Sequence, residues 1–428
     1  MNMMTILVIV FLVTLIMGIP VGFSILLSSV AAIVLGGGSM PLSIIVQRIS
    51  NGAGSFTMLA LPLFILSGNI LAYGCTPRLV ALANMLFGRM PGSIGAVTSG
   101  SCAFFGAVSG SPNATTAAVG GITAPEMLRQ GYKKGYAASL LAASGGLGAL
   151  IPPSTYMVVY ASIAATSIGD QLMSGFLPGI LVMLLLMVFN GIVCRRRGYG
   201  EVSTKKYTRQ EKIKIIVDAI PPLLMPFMIL GGISFGILTP TESATIATVY
   251  AFILSVVIYK ELPLKKMPEI LLKSVMGSGM ILFIIACSAP FGWILTTNNV
   301  SNIIRNLLFS VSETKFFVMG TIVLILLFLG LFMETSTTCI ICVPIFLPIV
   351  QTFGITPVQF GVIMALAHVI GNITPPLAVC LYTATSIVDC KVEETVPDVF
   401  VIAAIEVIAL IVAINWAPLA TFLPSLMH

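Results

Sequence analysis

The chain has 428 residues, of which 57% are hydrophobic and only 8% charged, and its mean hydropathy is +1.08. No soluble fold hides that much apolar side chain, so a chain of ordinary aqueous domains is excluded and an integral membrane protein with many spans remains. The formal net charge of +6 comes from basic residues gathered in a few short loops, so it reports orientation in a bilayer and not nucleic-acid binding. Nucleotide hydrolysis would need a large aqueous domain, and no Gly-rich loop with a Walker-type Lys occurs. The eight cysteines are dispersed, and the close pair Cys339 and Cys342 sits in an apolar segment without His or acid, which reads as ordinary buried cysteine.

In chain order, Met3 to Leu35 reads as a retained first span, and Phe56 to Tyr73 as a second. Pro77 to Met90 carries Arg78 and Arg89 at helical spacing, and is expected along the membrane interface. Ser93 to Val108 and Ala117 to Leu128 are each shorter than the roughly 20 residues a crossing needs, so they are expected to form a re-entrant hairpin. Lys133 and Lys134 put its open end in the cytoplasm. Gly135 to Ser167 is long enough to cross, with a break at Leu150-Ile151-Pro152-Pro153-Ser154, and Leu172 to Cys194 crosses back. From Arg195 to Lys214 eight basic residues face two acids, Glu201 and Glu211, which marks a cytoplasmic linker.

Ile215 to Leu238 and Thr241 to Tyr259 follow, the second opening on a capping box at Thr239-Pro240-Thr241-Glu242. Lys260, Lys265, Lys266 and Lys273 return the chain to the cytoplasm before Ile270 to Leu295 crosses outward. Asn298 to Val311 is a second interfacial piece; Phe316 to Met333 and Ile340 to Thr352 flank a second tip. Val358 to Val388 is broken at Asn372 to Pro376, and Val396 to Leu426 closes the chain. The expected fold class is therefore an all-α polytopic membrane protein with nine crossings, two re-entrant hairpins and two broken helices.

The two halves repeat. Shifting the chain by 223 positions lays the tip Ser111 to Thr116 over Glu334 to Cys339, Phe105 over Phe328, Gly131 over Gly354, Gly148 over Gly371, and Pro152-Pro153 over Pro375-Pro376. The odd number of crossings between the hairpins makes the repeat inverted, the pattern of a secondary transporter.

Unwound backbone at membrane depth survives only where protein or a watery cavity satisfies it. Pro152 and Pro375 remove amide donors and free main-chain carbonyls at Gly148 to Ile151 and at Gly371 to Thr374. Those oxygens, with side-chain oxygens of Ser111, Asn113, Thr115, Ser336 and Thr337, suit a hard cation such as sodium. The half-helices that begin at the tips present free N–H groups to an organic anion. The expected sodium ligands are Ser111, Asn113, Gly148, Ile151, Glu334, Ser336, Gly371 and Thr374; the expected solute contacts are Ser111, Asn113, Thr115, Pro153, Ser154, Ser336, Thr337 and Pro376. Glu334 either favours a cation or orients its own loop, Glu242 reads as a helix cap, and His368 as a packed histidine. Glu406, deep in the last span, is a functional candidate or pairs with a neighbouring helix or a partner subunit. No catalytic cluster is legible, so a non-enzyme is expected, with sodium as coupling ion and no cofactor.

Val108-Ser109-Gly110-Ser111-Pro112-Asn113-Ala114-Thr115, Leu150 to Ser154, Gly231-Gly232-Ile233, Thr239 to Ala244, Met333-Glu334 and Ile373-Thr374-Pro375-Pro376 together resemble the large membrane subunit of tripartite ATP-independent periplasmic (TRAP) transporters, over essentially the whole chain. The resemblance implies sodium-coupled uptake of an organic anion, either an acidic sugar such as sialic acid or a C4-dicarboxylate. It also implies an elevator mechanism in the bacterial inner membrane, with a soluble periplasmic binding protein and a separate small membrane subunit as partners. The division expected is scaffold and interfacial arm over 1–90 and 215–312, transport-domain halves over 91–168 and 313–390, a span at 169–194, the linker at 195–214 and a last span at 391–428, with the N-terminus cytoplasmic and the C-terminus periplasmic. Members usually carry Ser-Ser-Pro-Ala-Thr and Met-Glu-Pro-Ser at the tips; here Asn113 follows the first Pro and Thr335 replaces the second. The alternative is a stand-alone anion carrier or antiporter of similar architecture.

Overall fold

The structure, a computed structural model, describes residues 2–36, 41–54, 56–200, 207–333, 335–376 and 378–427. All regular structure among them is helical. Six of the helices are long and apolar enough to cross a membrane by themselves.

The first span is a correction. It consists of two helices, α1 (Met3–Ile16) and α2 (Val21–Leu35), packed against each other. Gly18 takes φ +75° and Pro20 stands at the N-cap of α2, so the chain reverses inside an unbroken apolar run. A Cβ on Gly36 would lie 3.0 Å from Met3 Cβ, which brings the outer ends of the pair together. Next come α3 (Ser43–Ala53) and α4 (Ala60–Phe87). α4 bends at Tyr73 and Gly74, where Gly74 has φ +91° and its carbonyl accepts from Arg78 Nη1, so the expected interfacial piece is the bent continuation of the second span. The Arg78 guanidinium also pairs with Glu261 at 2.7 Å and lies 3.7 Å from the Tyr259 ring centroid.

The first hairpin is α5 (Ser93–Ser109) and α6 (Pro112–Arg129). Gly110 at φ +63° ends α5, Ser111 caps α6, and Pro112 opens it, where its missing N–H costs nothing. The broken helix follows as α7 (Lys134–Gly145), a 3₁₀ turn over Gly146–Ala149, the unwound double proline, and α8 (Thr155–Ala164). α9 (Ile168–Ser174) and α10 (Phe176–Arg197) lead to the linker.

The second half holds α11 (Arg209–Ser234), α12 (Pro240–Phe252) continued by a π-helical stretch to Ile258, α13 (Met267–Thr297) and α14 (Val300–Val311). The capping box is formed: Thr239 N donates to Glu242 Oε2 at 2.7 Å, and Glu242 N to Thr239 Oγ1 at 3.3 Å. The second hairpin is α15 (Lys315–Gly330) and α16 (Thr335–Gln351); the second broken helix is α17 (Pro357–Ile373) and α18 (Val379–Val388). The final segment divides into α19 (Val396–Asn415) and the short α20 (Pro418–Ser425), so the run to Leu426 is not one span. Helix starts at Pro112 and Thr335, and at Lys134 and Pro357, keep the 223-residue spacing; so do Gly131 and Gly354, both at positive φ, and the two cis Pro-Pro bonds.

The halves exchange elements. α18, from the second repeat, packs on α6 and α7 of the first, and α8 of the first packs on α16 of the second. Tyr160 Oη donates to Pro357 O at 2.6 Å, and Lys134 Nζ to Asp389 O at 2.7 Å, each joining the two repeats.

Candidate functional site

The first tip is held by its own oxygens and by the first break. Thr115 Oγ1 donates to Ser111 O at 2.8 Å and pairs with Ser109 Oγ at 2.9 Å, while Ser111 Oγ accepts from Ala114 N at 3.5 Å. Thr155 donates twice to Gly110 O, from its amide at 3.2 Å and its hydroxyl at 3.1 Å. Gly148 lies under the same tip: a Cβ there would sit 2.7 Å from Thr115 Oγ1 and 2.8 Å from Ser111 O. Only glycine permits that approach. Ser154 is fully buried, donates to Ala149 O at 2.6 Å and caps α8 through Met157 N at 3.4 Å.

The second half makes a parallel arrangement. Gly371 approaches the backbone of Gly330 so closely that a Cβ would meet it at 3.0 Å. Thr374 Oγ1 donates to Ile370 O at 2.7 Å. Thr337 is buried on the first turn of α16, and its Oγ1 has no hydrogen-bond partner among the described residues. Such an orphan hydroxyl is costly unless something binds it.

A cavity of about 390 Å³ lies where these pieces meet. Ser111, Pro112, Asn113 and Ala114 line it from the start of α6, Thr155 and Tyr156 from the start of α8, Thr335 from the start of α16, and Val379 and Cys380 from the start of α18. Four helix N-termini thus border one space. Ser109, Ala149 and Asn372 border it from the C-terminal ends of α5, the 3₁₀ turn and α17. The remaining wall is α4, with Ile65, Gly68 and Asn69, and α13, with Lys273, Gly277 and Ile281.

Of the residues singled out from the sequence, Ser111 and Asn113 line this cavity and Thr115 lies just behind it, fully buried. Asn113 Oδ1 already accepts from Thr383 Oγ1 on α18, which ties the first tip to the second repeat. The carbonyl of Pro153 faces Gly110, and Ile151 packs against Gly179; Pro153, Ser154 and Ile151 support the wall without lining it. Pro376 is exposed. Glu334 and the Ser336 side chain lie outside what is described. His368 is buried with its ring stacked on Tyr156 at 6.2 Å and its Nε2 without a partner among the described residues, one layer beneath the cavity. Glu406 is buried on α19, and neither carboxylate oxygen has a hydrogen-bond partner among the described residues.

Sequence reasoning missed Asn69, Lys273, Thr335 and Asn372. Asn69 and Asn372 were visible as amides inside apolar helices, which is a signal in itself. Asn69 Nδ2 donates to Ser274 Oγ at 2.9 Å, joining α4 to α13 at the cavity wall.

Two hairpin tips and two unwound helix centres bordering one cavity, in an all-helical multi-pass membrane protein, define a membrane carrier. The chain belongs to the tripartite ATP-independent periplasmic transporter family as its DctM component, whose family profile matches residues 8–419. It is 38% identical over 392 residues to the Salmonella typhimurium protein YgiK, covering 90% of this chain and 89% of that one. It is 36% identical over 386 residues to the isethionate TRAP transporter permease DctMQ of Oleidesulfovibrio alaskensis, covering 89% of this chain and 60% of that protein. It is also 34% identical over 373 residues to the sialic acid TRAP transporter large permease SiaM of Vibrio cholerae, covering 87% of each. The crystal structure of the Alcanivorax borkumensis YdaH transporter shares the fold, with a TM-score of 0.62 at 14% identity over 88% of each chain.

Proposed function

We propose that the chain is the permease of a sodium-coupled, three-component uptake system for an organic acid. The observation that carries this reading is the convergence of four helix N-termini on one cavity. Each terminus carries about half a positive charge from its aligned peptide dipoles, so together they favour an anion the size of a small acid. The C-terminal ends of α5, the 3₁₀ turn and α17 offer carbonyl oxygens beside the same space, and the buried Thr337 hydroxyl, without a partner among the described residues, adds another oxygen; those suit sodium. In this reading Ser111, Thr115 and Gly148 serve one ion and Thr337, Gly371 and Thr374 a second.

The solute is a carboxylate or sulfonate, with an acidic sugar such as sialic acid, a C4-dicarboxylate and isethionate as the candidates. It is delivered by a periplasmic binding protein to a permease that works with a small membrane subunit. Residues 91–168 and 313–390 move as the transport domain against a scaffold of 1–90 and 215–312, giving alternating access by an elevator motion, and the chain catalyses no reaction. The basic residues Lys133, Lys134 and those of the Arg195–Lys214 linker favour a cytoplasmic linker and a periplasmic C-terminus. The reversal between α1 and α2, and the bond from Asn298 at the far end of α13 to Met3, favour a periplasmic N-terminus instead of the cytoplasmic one expected.

The test is uptake by proteoliposomes that contain this chain and its small subunit, supplied with loaded binding protein. Uptake is expected only with an inward sodium gradient. Equal uptake with potassium in place of sodium refutes the coupling, and equal uptake without the binding protein favours a stand-alone carrier.

A further inference from the structure

Among the described residues that line the cavity, Lys273 alone carries a charge. Its ammonium has no carboxylate within ion-pair distance among the described residues; Glu269, one turn earlier on α13, does not pair with it. The lysine stands six residues into an apolar helix, about 9 Å along its axis, and Ile281 at the far end of the same wall about 21 Å along it. The lysine side chain is exposed at that level. It faces the cavity.

We propose that Lys273 is the fixed counter-charge for the solute's anionic group in the cytoplasm-facing state. Lys260, Lys265 and Lys266 immediately precede α13, so the end of the helix that bears Lys273 is the cytoplasmic one. α13 packs on α2, α3 and α4, and Ser274 next to Lys273 is buried and bonded to Asn69 of α4, so the lysine is anchored to the wall opposite the four helix N-termini. The inference rests on the alternating-access reading: if the hairpins carry the solute past a stationary α13, the anion meets Lys273 only at the inner face. The amides of the moving helices hold the carboxylate or sulfonate throughout the cycle, and the lysine adds a point charge with three donors at one end of it. Lys273 therefore sets the inner-face affinity, and with it the ease of release and the rejection of neutral solutes there.

The experiment uses the complete transporter in proteoliposomes, with isethionate, sialic acid and succinate as probes, and reads the half-saturating concentration separately from the inner face by counterflow and from the outer face by binding-protein-dependent uptake. Lys273→Met is expected to raise the inner-face value about tenfold or more, a tenfold change corresponding to about 1.4 kcal/mol. Lys273→Arg is expected to restore most of the loss, and Lys265→Met in the preceding loop to cause none. A transport-active Lys273→Met protein with an unaltered inner-face value overturns the role of Lys273 while leaving the proposed function standing. Equal weakening at both faces shows that the lysine travels with the solute and overturns the stationary α13. Wild-type protein that moves none of the three probes overturns both. Should Lys273→Met fail to assemble, trinitrophenylation of Lys273 in the wild-type protein, read by mass spectrometry, decides the matter: the transported probe is expected to slow labelling severalfold, and absence of protection refutes the contact.

Discussion

Replacing Gly110 by alanine tests the junction on which the whole site is built. The residue has φ +63°, where an L side chain costs about 1–2 kcal/mol. Its new Cβ would also lie 2.0 Å from the carbonyl oxygen of Pro153 and 3.1 Å from its carbonyl carbon, so tip and break must separate by roughly 1 Å or more; overpacking of that kind costs about 1–3 kcal/mol. Separation would also strain the two bonds Thr155 makes to Gly110 O. The total, roughly 2–5 kcal/mol, should appear as a clear fall in the unfolding temperature of detergent-solubilised protein followed by Trp293 and Trp416 fluorescence, together with loss of uptake. Gly121→Ala is the internal control: it lies on α6 of the same hairpin, and a Cβ there meets nothing within 4 Å. It should be neutral or gain up to about 1 kcal/mol from helix propensity. Indistinguishable melting of the two variants, with normal uptake by Gly110→Ala, would refute the close seating of the first tip on the first break.

Thr337→Val removes a buried hydroxyl that has no partner among the described residues, so melting should be unchanged while the half-saturating sodium concentration rises severalfold; a sodium titration identical to wild type removes Thr337 from the ion site. Ser111→Ala loses a helix cap and a candidate ligand together, and is expected to weaken sodium dependence more than the roughly 1 kcal/mol of stability that a cap is worth. Ser154→Ala should lower stability by about 1 kcal/mol through the Met157 amide, with uptake retained once folded, because Ser154 lies behind the wall. Glu406→Gln removes a potential charge from a site without compensation, so its melting temperature should equal or exceed that of wild type; a large fall would reveal a partner that the carboxylate holds.

The tips and breaks that border the candidate site were legible because they violate the membrane's demand for regular helix, and a violation made twice at constant spacing stands out. What stayed hidden depended on packing. Gly18 and Pro20 turn the chain within a run whose hydropathy never falls, so α1 and α2 looked like one span. Lys273 followed three loop lysines and was counted with them; only the neighbouring helices show that it faces a cavity. Asn113 looked like a free ligand, and its bond to Thr383 becomes visible only when α18 is in place. Thr155 and Tyr156 gain their role from the start of α8, one residue beyond the unwound stretch that attracted notice.

The exchange of α8 and α18 between the halves has a consequence for biogenesis. When the ribosome has delivered the first hairpin, the surface that α18 covers on α6 and α7 is still bare, and it stays bare until residues 379–388 leave the translocon. The earlier half must therefore wait in the membrane as an open socket, and a truncation before α18 should leave a degradable fragment instead of half a working carrier.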